Sequence, residues 1–347
     1  MNRRQFLQTT SAATTATFLP SCGKNAPQKS LTMFTWVDYI SDAAVASFQE
    51  KYGAKIIIDT FDSNEAMISK LESGATGYDL LVPSPYAVEH LATKNLLTKL
   101  DHSKIRNLVN LDPAHLTRSS DPKVELSVPY LTAPTVIAYL KSHVKNPQPS
   151  WALFARTDLK GRTTLLDDMR AVIGAALKSL GHSLNTLDPA QIAAAVDVVI
   201  GWKSNIAKFE NEQYKTGLAS GEFHLVQGYA GDLITVQQEN PDIEIIIPEE
   251  GTEFFSDDLC IPISAKNPDL AYQLINHLLD PEVSAENMQA IGYRAPNTAA
   301  YRLLSEDFRG SRILFPPAEL FAKCETIAYL GDKLPLYTAA WEKIKNA

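Results

Sequence analysis

Short apolar runs alternate with segments of helical periodicity along most of this chain, and this alternation limits the possible folds more than any other feature. The apolar run from Leu31 to Trp36 is typical of a buried strand. Ser41-Asp42 can then cap a helix that ends at Gly53, and a second strand is predicted over Lys55 to Phe61. Strands that alternate with helices favour parallel sheets covered by helices, so the sequence predicts an α/β fold.

The same order of elements continues towards the C-terminus. Further strands are predicted over Tyr78 to Val82, Arg162 to Leu166, Phe223 to Val226 and Ile243 to Ile247, and further helices over Asn64 to Ser73, Asp167 to Leu180, Pro189 to Asn205 and Leu270 to Leu279. Two sets of strands imply two sheets and therefore two lobes. Ligands of doubly wound sheets bind at the carboxyl ends of the strands, so we expect site residues in Trp36 to Tyr39, Ser63-Asn64 and Pro83 to Tyr86.

The first 22 residues predict export. Arg3 and Arg4 precede a weakly apolar stretch from Thr9 to Phe18, and Leu19-Pro20-Ser21-Cys22 follows. This order is typical of a secretory signal, and the paired arginines resemble a twin-arginine signal. The spacing of Leu19 and Cys22 resembles a lipoprotein signal, in which the cysteine thiol is acylated; an ordinary signal with an incidental cysteine is the alternative. The apolar stretch is too short to span a bilayer of about 30 Å, so acyl chains would provide the anchor.

Residues 23–30 are polar and lack periodicity, which predicts a flexible tether. The chain has a net charge of −8 at pH 7, and this acidity argues against nucleic acid as a partner and suits a cationic ligand.

Cys260 and Cys324 could pair in an oxidising compartment, but Cys260 lies in an apolar run and is expected to pack as a small hydrophobic side chain. The cysteines lack the spacing of a metal site, and no motif predicts a cofactor.

Six short motifs follow one another along the chain: Trp36-Val37-Asp38-Tyr39, Tyr78-Asp79-Leu80-Leu81-Val82-Pro83-Ser84-Pro85-Tyr86, Val128-Pro129-Tyr130, Leu165-Leu166-Asp167-Asp168, Ser256-Asp257-Asp258-Leu259 and Ile291-Gly292-Tyr293-Arg294-Ala295-Pro296-Asn297. In this order they resemble the spermidine/putrescine-binding proteins of bacterial polyamine ABC importers, over residues 31 to 345. The resemblance implies a two-lobed periplasmic binding protein fold of type II, with two doubly wound sheets joined by a hinge of two crossovers. We expect the crossovers near Leu131 to Val136 and Gly251 to Ser256. Lobe 1 would comprise residues 31–132 and 257–303, and lobe 2 residues 136–252 and 307–347.

The resemblance also implies a polyamine as the ligand and ABC permease subunits in the membrane as partners. It further implies a monomer in the periplasm or on the outer face of the cytoplasmic membrane. A polyamine needs carboxylates that compensate its buried ammonium charges, and aromatic faces that cover its methylenes and contribute about 0.5–2 kcal/mol for each cation–π contact. Eleven residues match ligand positions of the family: Trp36, Asp38, Tyr39, Ser84, Tyr86, Asp168, Tyr229, Asp232, Phe255, Asp257 and Tyr293.

Several of these residues also have a purely structural interpretation. Asp38 could cap the helix that begins near Ser41, and Asp232 could cap a helix after a turn. Asp168 lies in a first helical turn, where the helix dipole alone favours an acid. Ser84 and Tyr86 could be a turn serine and a half-buried tyrosine.

Alternation along the last predicted crossover supports one carboxylate in particular. Phe255 and Asp257 are two residues apart and would share one face of a strand, while Asp258 would lie on the other face. This pattern favours Asp257 as a ligand carboxylate beside an aromatic wall.

The sequence departs from the family at two points. Ala171 replaces a glutamate that many spermidine binders carry three residues after the Asp168 position, and Ala322 to Lys333 lacks a clear match to an expected glutamine. Asp232, three residues after Tyr229, is similar instead to the putrescine-preferring branch. These differences favour a diamine such as putrescine.

Other functions remain open on these residues. The sequence lacks the motifs of serine hydrolases, zinc proteases and phosphate-binding loops, which argues against an enzyme. The same fold could instead bind a quaternary ammonium, a basic amino acid, an opine-like compound or a metal chelate. A receptor that reports the ligand to a signalling partner is a further alternative, and no sequence feature distinguishes it from a transport component.

Overall fold

The structure is a computed structural model, and it describes residues 29–117 and 119–347. The predicted export signal with Cys22, and most of the predicted tether, lie outside these residues. None of the helices in the described part of the chain has both the length and the apolar character that a membrane span requires.

The strands of the described residues are hydrogen-bonded in the order β2-β1-β3-β9-β4-β7-β5-β6, with β8 paired to β4. They are β1 (Lys29–Thr35), β2 (Ala54–Thr60), β3 (Leu80–Leu81), β4 (Ser127–Leu140), β5 (Thr163–Leu165), β6 (Lys208–Phe209), β7 (Leu225–Tyr229), β8 (Ile243–Ile246) and β9 (Phe254–Cys260). β1 is parallel to β2 and β3, and β5 is parallel to β6 and β7. β4, β8 and β9 are antiparallel to all their neighbours, so the expectation of parallel sheets is wrong for these three strands.

The long strand β4 carries the chain from one group of strands to the other. Ser127 to Pro134 pair with β9, whereas Thr135 to Leu140 pair with β7 and β8. The change of partner lies within the predicted crossover Leu131 to Val136. The chain returns through Glu253, whose carbonyl accepts a hydrogen bond from the Thr135 N–H at 3.0 Å. We call β1, β2, β3, β9 and the first half of β4 lobe 1, and β5 to β8 with the second half of β4 lobe 2.

Helices pack against the strands of each lobe. They are α1 (Asp42–Tyr52), α2 (Asn64–Glu72), α3 (Pro85–Thr93), α4 (Pro113–Leu116), α5 (Met169–Ser179), α6 (Pro189–Lys203), α7 (Gln213–Ser220), α8 (Ala230–Glu239), α9 (Pro268–Leu278), α10 (Pro281–Ile291), α11 (Glu306–Arg309), α12 (Ala318–Phe321) and α13 (Leu334–Asn346). α1, α9 and α10 pack together in lobe 1, and α5, α6 and α13 pack together in lobe 2.

Helix α1 shows how local sequence sets the ends of these elements. The Ser41 hydroxyl accepts a hydrogen bond from the Ala44 N–H at 3.2 Å and so caps the first turn. Gly53 ends the helix in the left-handed conformation at φ 62°, which glycine adopts without strain. Ala44 and Phe48 are buried against the sheet side of the helix. Both predicted ends of this helix are confirmed.

The other predicted strands and helices are present, with ends that differ by a few residues. The helices that were not predicted are α3, α4, α7, α8 and α10 to α13. One large apolar cluster includes residues of both lobes, and a smaller cluster in lobe 1 contains Phe34, Met67 and Cys260. Cys260 is a buried free thiol and packs as a small hydrophobic side chain, as the sequence predicts. Cys324 belongs to the larger cluster.

Candidate functional site

A cavity lies between the two lobes, with about 760 Å³ of empty space when the part open to solvent is included. Its walls come from the segments that follow β1, β3, β5 and β7, and from β9. This is the edge of the sheet where ligands of α/β proteins bind. Ten of the eleven residues matched to the family line it: Trp36, Tyr39, Ser84, Tyr86, Asp168, Tyr229, Asp232, Phe255, Asp257 and Tyr293.

Asp38 is the residue of this set that does not line the cavity. Its backbone has the left-handed value φ 54°, and its side chain is 77% exposed. One carboxylate oxygen lies 3.7 Å from the ammonium nitrogen of Lys215. Asp38 does not cap α1 either, because Ser41 is the residue that accepts the hydrogen bond at the start of that helix.

Asp257 is a buried carboxylate held by two hydroxyl groups. Tyr39 and Ser84 each donate a hydrogen bond of 2.6 Å to it, one to each oxygen. The Ser84 hydroxyl also accepts a hydrogen bond from the Asn64 side-chain amide at 3.0 Å, so its own proton is available for Asp257. Burial raises the pKa of Asp257 to about 7, although both hydroxyl donors act in the opposite direction.

The neighbouring Asp258 lies on the opposite face of β9, as strand alternation predicts. It accepts hydrogen bonds from the hydroxyls of Ser127 at 2.6 Å and Ser256 at 3.3 Å, and it does not line the cavity. Burial raises its pKa to about 6. Two adjacent buried carboxylates therefore have different surroundings, and only Asp257 faces the cavity.

Asp168 combines a structural contact with a position in the cavity wall. One oxygen accepts hydrogen bonds from the N–H groups of Arg170 at 2.8 Å and Ala171 at 2.9 Å and caps α5. The other oxygen lies 3.5 Å from the Tyr229 hydroxyl. Burial raises the pKa of Asp168 against the opposing effect of the capping N–H groups. The helix-cap interpretation and the cavity interpretation both describe this residue.

Asp232, in the first turn of α8, makes its contacts through side chains. It accepts a hydrogen bond from the Tyr293 hydroxyl at 2.8 Å and a second one from the Tyr214 hydroxyl. Lys215 also lies 3.9 Å from one of its oxygens. Burial raises the pKa of Asp232, and the Lys215 ammonium partly offsets that effect. The alternative that Asp232 serves as a helix cap is wrong, because its oxygens accept from tyrosines.

Aromatic rings connect these acidic groups along the cavity. The rings of Tyr229 and Phe255 have centroids 5.6 Å apart, and Phe255 lies 6.2 Å from Tyr293. Tyr293 in turn contacts Tyr39 edge to face at 5.0 Å. Along this series of rings, the hydroxyls of Tyr229, Tyr293 and Tyr39 contact Asp168, Asp232 and Asp257 in turn. A flexible chain along this wall would meet aromatic faces in its middle and carboxylates beside them.

Glu253 is a cavity residue that the sequence predictions miss. It is half-buried, it lines the cavity, and its carboxylate accepts a hydrogen bond from the Thr135 hydroxyl at 3.1 Å. Burial and the nearby negative charge of Asp168 raise its pKa well above the ordinary value. The alternation of side chains along a strand could have identified Glu253 from the sequence. Glu253 precedes Phe255 by two residues and Asp257 by four, so all three would share one face of the strand.

The charge of the cavity wall is one-sided. Six acidic residues line it, and within the described residues no lysine, arginine or histidine does. The acids are Asp62, Asp168, Glu212, Asp232, Glu253 and Asp257. Since buried carboxylates without a cation are costly, this wall favours a cationic ligand.

The two departures from the family also have visible consequences. Ala171 is buried, and its N–H donates a hydrogen bond to the capping carboxylate of Asp168. The segment Ala322 to Lys333, where a glutamine is expected, contributes Ile327 to the cavity wall instead. Both positions therefore carry apolar side chains in this chain.

Comparison with known proteins agrees with this geometry. The family model of bacterial extracellular solute-binding proteins matches residues 43–310. The chain is 36% identical over 318 residues to the spermidine/putrescine-binding periplasmic protein of Salmonella typhimurium, with 91% of each chain covered. It is 34% identical over 342 residues to the putrescine-binding periplasmic protein PotF of Escherichia coli, with 92% of each covered.

Among solved structures, the TpPotD lipoprotein of Treponema pallidum is similar, with a TM-score of 0.83 and 32% identity over 91% of this chain and 99% of that chain. The fold, the interlobe cavity and these relatives agree with one another. The chain belongs to the family of bacterial extracellular solute-binding proteins.

Proposed function

We propose that this protein is the extracytoplasmic binding component of an ABC importer and that it captures a polyamine between its two lobes. The main support for this proposal is the environment of Asp257. A buried carboxylate with two hydroxyl donors, with no ion-pair partner among the described residues and with Phe255 in the same cavity wall, is a site for a desolvated ammonium group. Members of this family are solute-binding proteins and not enzymes.

The remaining cavity walls support a ligand with more than one ammonium group. Asp168 and Glu253 lie near Tyr229, at a distance along the aromatic wall from Asp257. Ammonium groups joined by methylenes can approach separate carboxylates while the methylenes pack on Tyr229 and Phe255. Relatives of this chain that bind putrescine and spermidine agree with that chemistry.

The proposal is tested by isothermal titration calorimetry and thermal shift with putrescine, cadaverine, spermidine and spermine. A ligand that binds only the folded protein raises the apparent Tm, and the stabilisation grows with the logarithm of the ligand concentration over Kd. Choline and arginine serve as controls for other organic cations. Failure of all four polyamines to bind, or tighter binding of choline or arginine, would overturn the proposal.

The same proposal includes the arrangement of the domains. Lobe 1 comprises residues 31–132 and 257–303, lobe 2 comprises residues 136–252 and 307–347, and β4 and the start of β9 form the hinge. A monomer whose lobes close on the ligand would present a new surface to the permease subunits. Small-angle scattering with and without putrescine tests this part, since closure reduces the radius of gyration of a monomer.

We further propose that the chain is exported and anchored by lipid at Cys22, on the outer face of the cytoplasmic membrane or in the periplasm. The order of Arg3, Arg4, the apolar stretch and Cys22 supports this, and the similar TpPotD protein of Treponema pallidum is a lipoprotein. Cys22→Ser should move the protein from the membrane fraction to the soluble periplasmic fraction, and Arg3→Lys with Arg4→Lys should block export by the twin-arginine route. An unchanged distribution of the Cys22→Ser protein would contradict the anchor.

A further inference from the structure

Lys215 supplies a positive charge of the protein itself at one end of the cavity. It lies in the first turn of α7, its side chain is only 19% exposed, and its ammonium nitrogen is 2.8 Å from a Glu212 oxygen. The same nitrogen is 3.9 Å from an Asp232 oxygen and 3.7 Å from an Asp38 oxygen. Asp38 follows β1 of lobe 1, whereas Glu212 and Asp232 belong to lobe 2. Lys215 therefore lies among three carboxylates at the junction of the lobes.

This contact makes Asp232 different from the other acids of the cavity. Asp232 already has two tyrosine hydroxyl donors and an ammonium neighbour. Within the described part of the chain, Asp168, Glu253 and Asp257 form no ion pair. A ligand ammonium can compensate those three carboxylates, but one that approached Asp232 would meet the like charge of Lys215.

We infer that Lys215 is a specificity-determining residue whose ammonium group substitutes for one ammonium of a longer polyamine at Asp232. This inference rests on the proposed function. With Lys215 in place, two ammonium groups can meet carboxylates that form no ion pair within the described residues. One site is Asp257, and the other is the Asp168 and Glu253 end, which lies near the buried Arg170. The site then takes a diamine and rejects a triamine, whose third charge would have to displace Lys215.

Asp38 gains a role from the same arrangement. It does not line the cavity, so it acts through Lys215 as a positioning residue. Its carboxylate and that of Glu212 hold the lysine from both lobes. Because Asp38 is highly exposed, its share of this contact is screened by salt, and the discrimination between diamine and triamine should weaken as ionic strength rises.

The test compares Kd values for putrescine and spermidine by calorimetry at pH 8 and fixed ionic strength. Wild-type protein should bind putrescine more tightly than spermidine. Lys215→Gln should shift the ratio of the two Kd values by at least about tenfold towards spermidine, which corresponds to about 1.4 kcal/mol. Lys215→Arg keeps the charge and should keep the wild-type ratio. Lys160→Gln removes an exposed lysine of the same lobe and is the matched control.

Each outcome bears on one proposal only. A wild-type protein that binds none of the four polyamines refutes the proposed function, whatever Lys215 does. A wild-type protein that binds spermidine at least as tightly as putrescine overturns the inference without any variant. An unchanged ratio in folded Lys215→Gln, or in the apolar variant Lys215→Met if the glutamine variant does not fold, also overturns it.

Discussion

Replacing Asp257 with asparagine removes one charge from the cavity and keeps the shape of the side chain. The wild-type carboxylate is buried and accepts hydrogen bonds of 2.6 Å from Tyr39 and Ser84. A hydrogen bond to a charged group contributes about 1.5–3 kcal/mol, and each factor of ten in Kd corresponds to about 1.4 kcal/mol. We therefore expect Asp257→Asn to raise the Kd for putrescine by about tenfold to about a hundredfold at pH 8.

The pH dependence of this effect is a second consequence. Since burial raises the pKa of Asp257 to about 7, the carboxyl group of the ligand-free protein is mainly ionised at pH 8 and mainly protonated at pH 6. A cation binds the ionised form, which is about a tenth of the total one pH unit below the pKa. The affinity of the wild-type protein should fall about tenfold from pH 8 to pH 6 on this account. The variant lacks the titrating group, so the ratio of the two Kd values should shrink by about the same factor.

Asp258→Asn provides a matched control for this measurement. Asp258 is adjacent, equally buried and hydrogen-bonded to hydroxyl groups, but it lies on the face of β9 away from the cavity. We expect it to leave the Kd for putrescine within about twofold of wild type, and calorimetric titration measures both variants directly. Wild-type affinity in Asp257→Asn at pH 8, or equal losses in the two variants, would refute the position of the site.

Closure, buried charge and the aromatic wall each give a further prediction. A Cβ atom at Gly231 would lie 2.1 Å from a ring carbon of Tyr293, so Gly231→Ala should oppose closure of the lobes. We expect this variant to bind putrescine at least about tenfold more weakly while its circular dichroism spectrum stays that of the wild type. Wild-type affinity in this variant would contradict the prediction. Glu253 has a raised pKa, so the folded protein favours its protonated form, and that form is lost as pH rises. Glu253→Gln should therefore raise the Tm of the ligand-free protein more at about pH 9 than at about pH 6. A difference in Tm that does not depend on pH would count against this prediction. Phe255→Leu keeps an apolar side chain but removes the aromatic face, and calorimetry should show a loss of about 0.5–2 kcal/mol in putrescine binding, whereas no loss would exclude a cation–π contact there.

The positions of the short strands could be predicted because each apolar run is bounded by a helix signal. Ser41 and Gly53 fix both ends of α1 through side-chain capping and a left-handed backbone, which are properties of single residues. The length of β4 could not be predicted in the same way. Its fourteen residues are all buried, so they lack the alternation that marks a strand with one exposed face. The antiparallel pairing of β4 with β9 depends on contacts between distant segments, and no local pattern encodes it.

The candidate site divides along similar lines. Phe255 and Asp257 could be assigned to one face from alternation alone, and the structure brings both into the cavity. Asp38 could not be excluded from the wall in advance, because its left-handed backbone turns the side chain away from its neighbours. Lys215 carries no local signal either. Its position beside Asp232 arises from the packing of α7 against α8.

The cavity and the hinge form one system, because one of the cavity carboxylates, Asp232, accepts a hydrogen bond from a hydroxyl of the other lobe. Tyr293 follows α10 of lobe 1, and its hydroxyl donates a hydrogen bond to Asp232 of lobe 2. The two segments of the chain approach closely there, since a Cβ atom at Gly292 would lie 2.5 Å from the Gly231 carbonyl oxygen. Closing the lobes therefore gathers carboxylates that repel one another. A bound cation removes that repulsion in the closed state and has little effect when the lobes are apart. The cation therefore binds the closed state more tightly than the open state, and this difference in affinity shifts the equilibrium between them towards the closed state. In the proposed mechanism, the ion pairs of Lys215 with Asp38 and Asp232 contribute part of that compensation from within the protein, and the proposed diamine supplies the remainder.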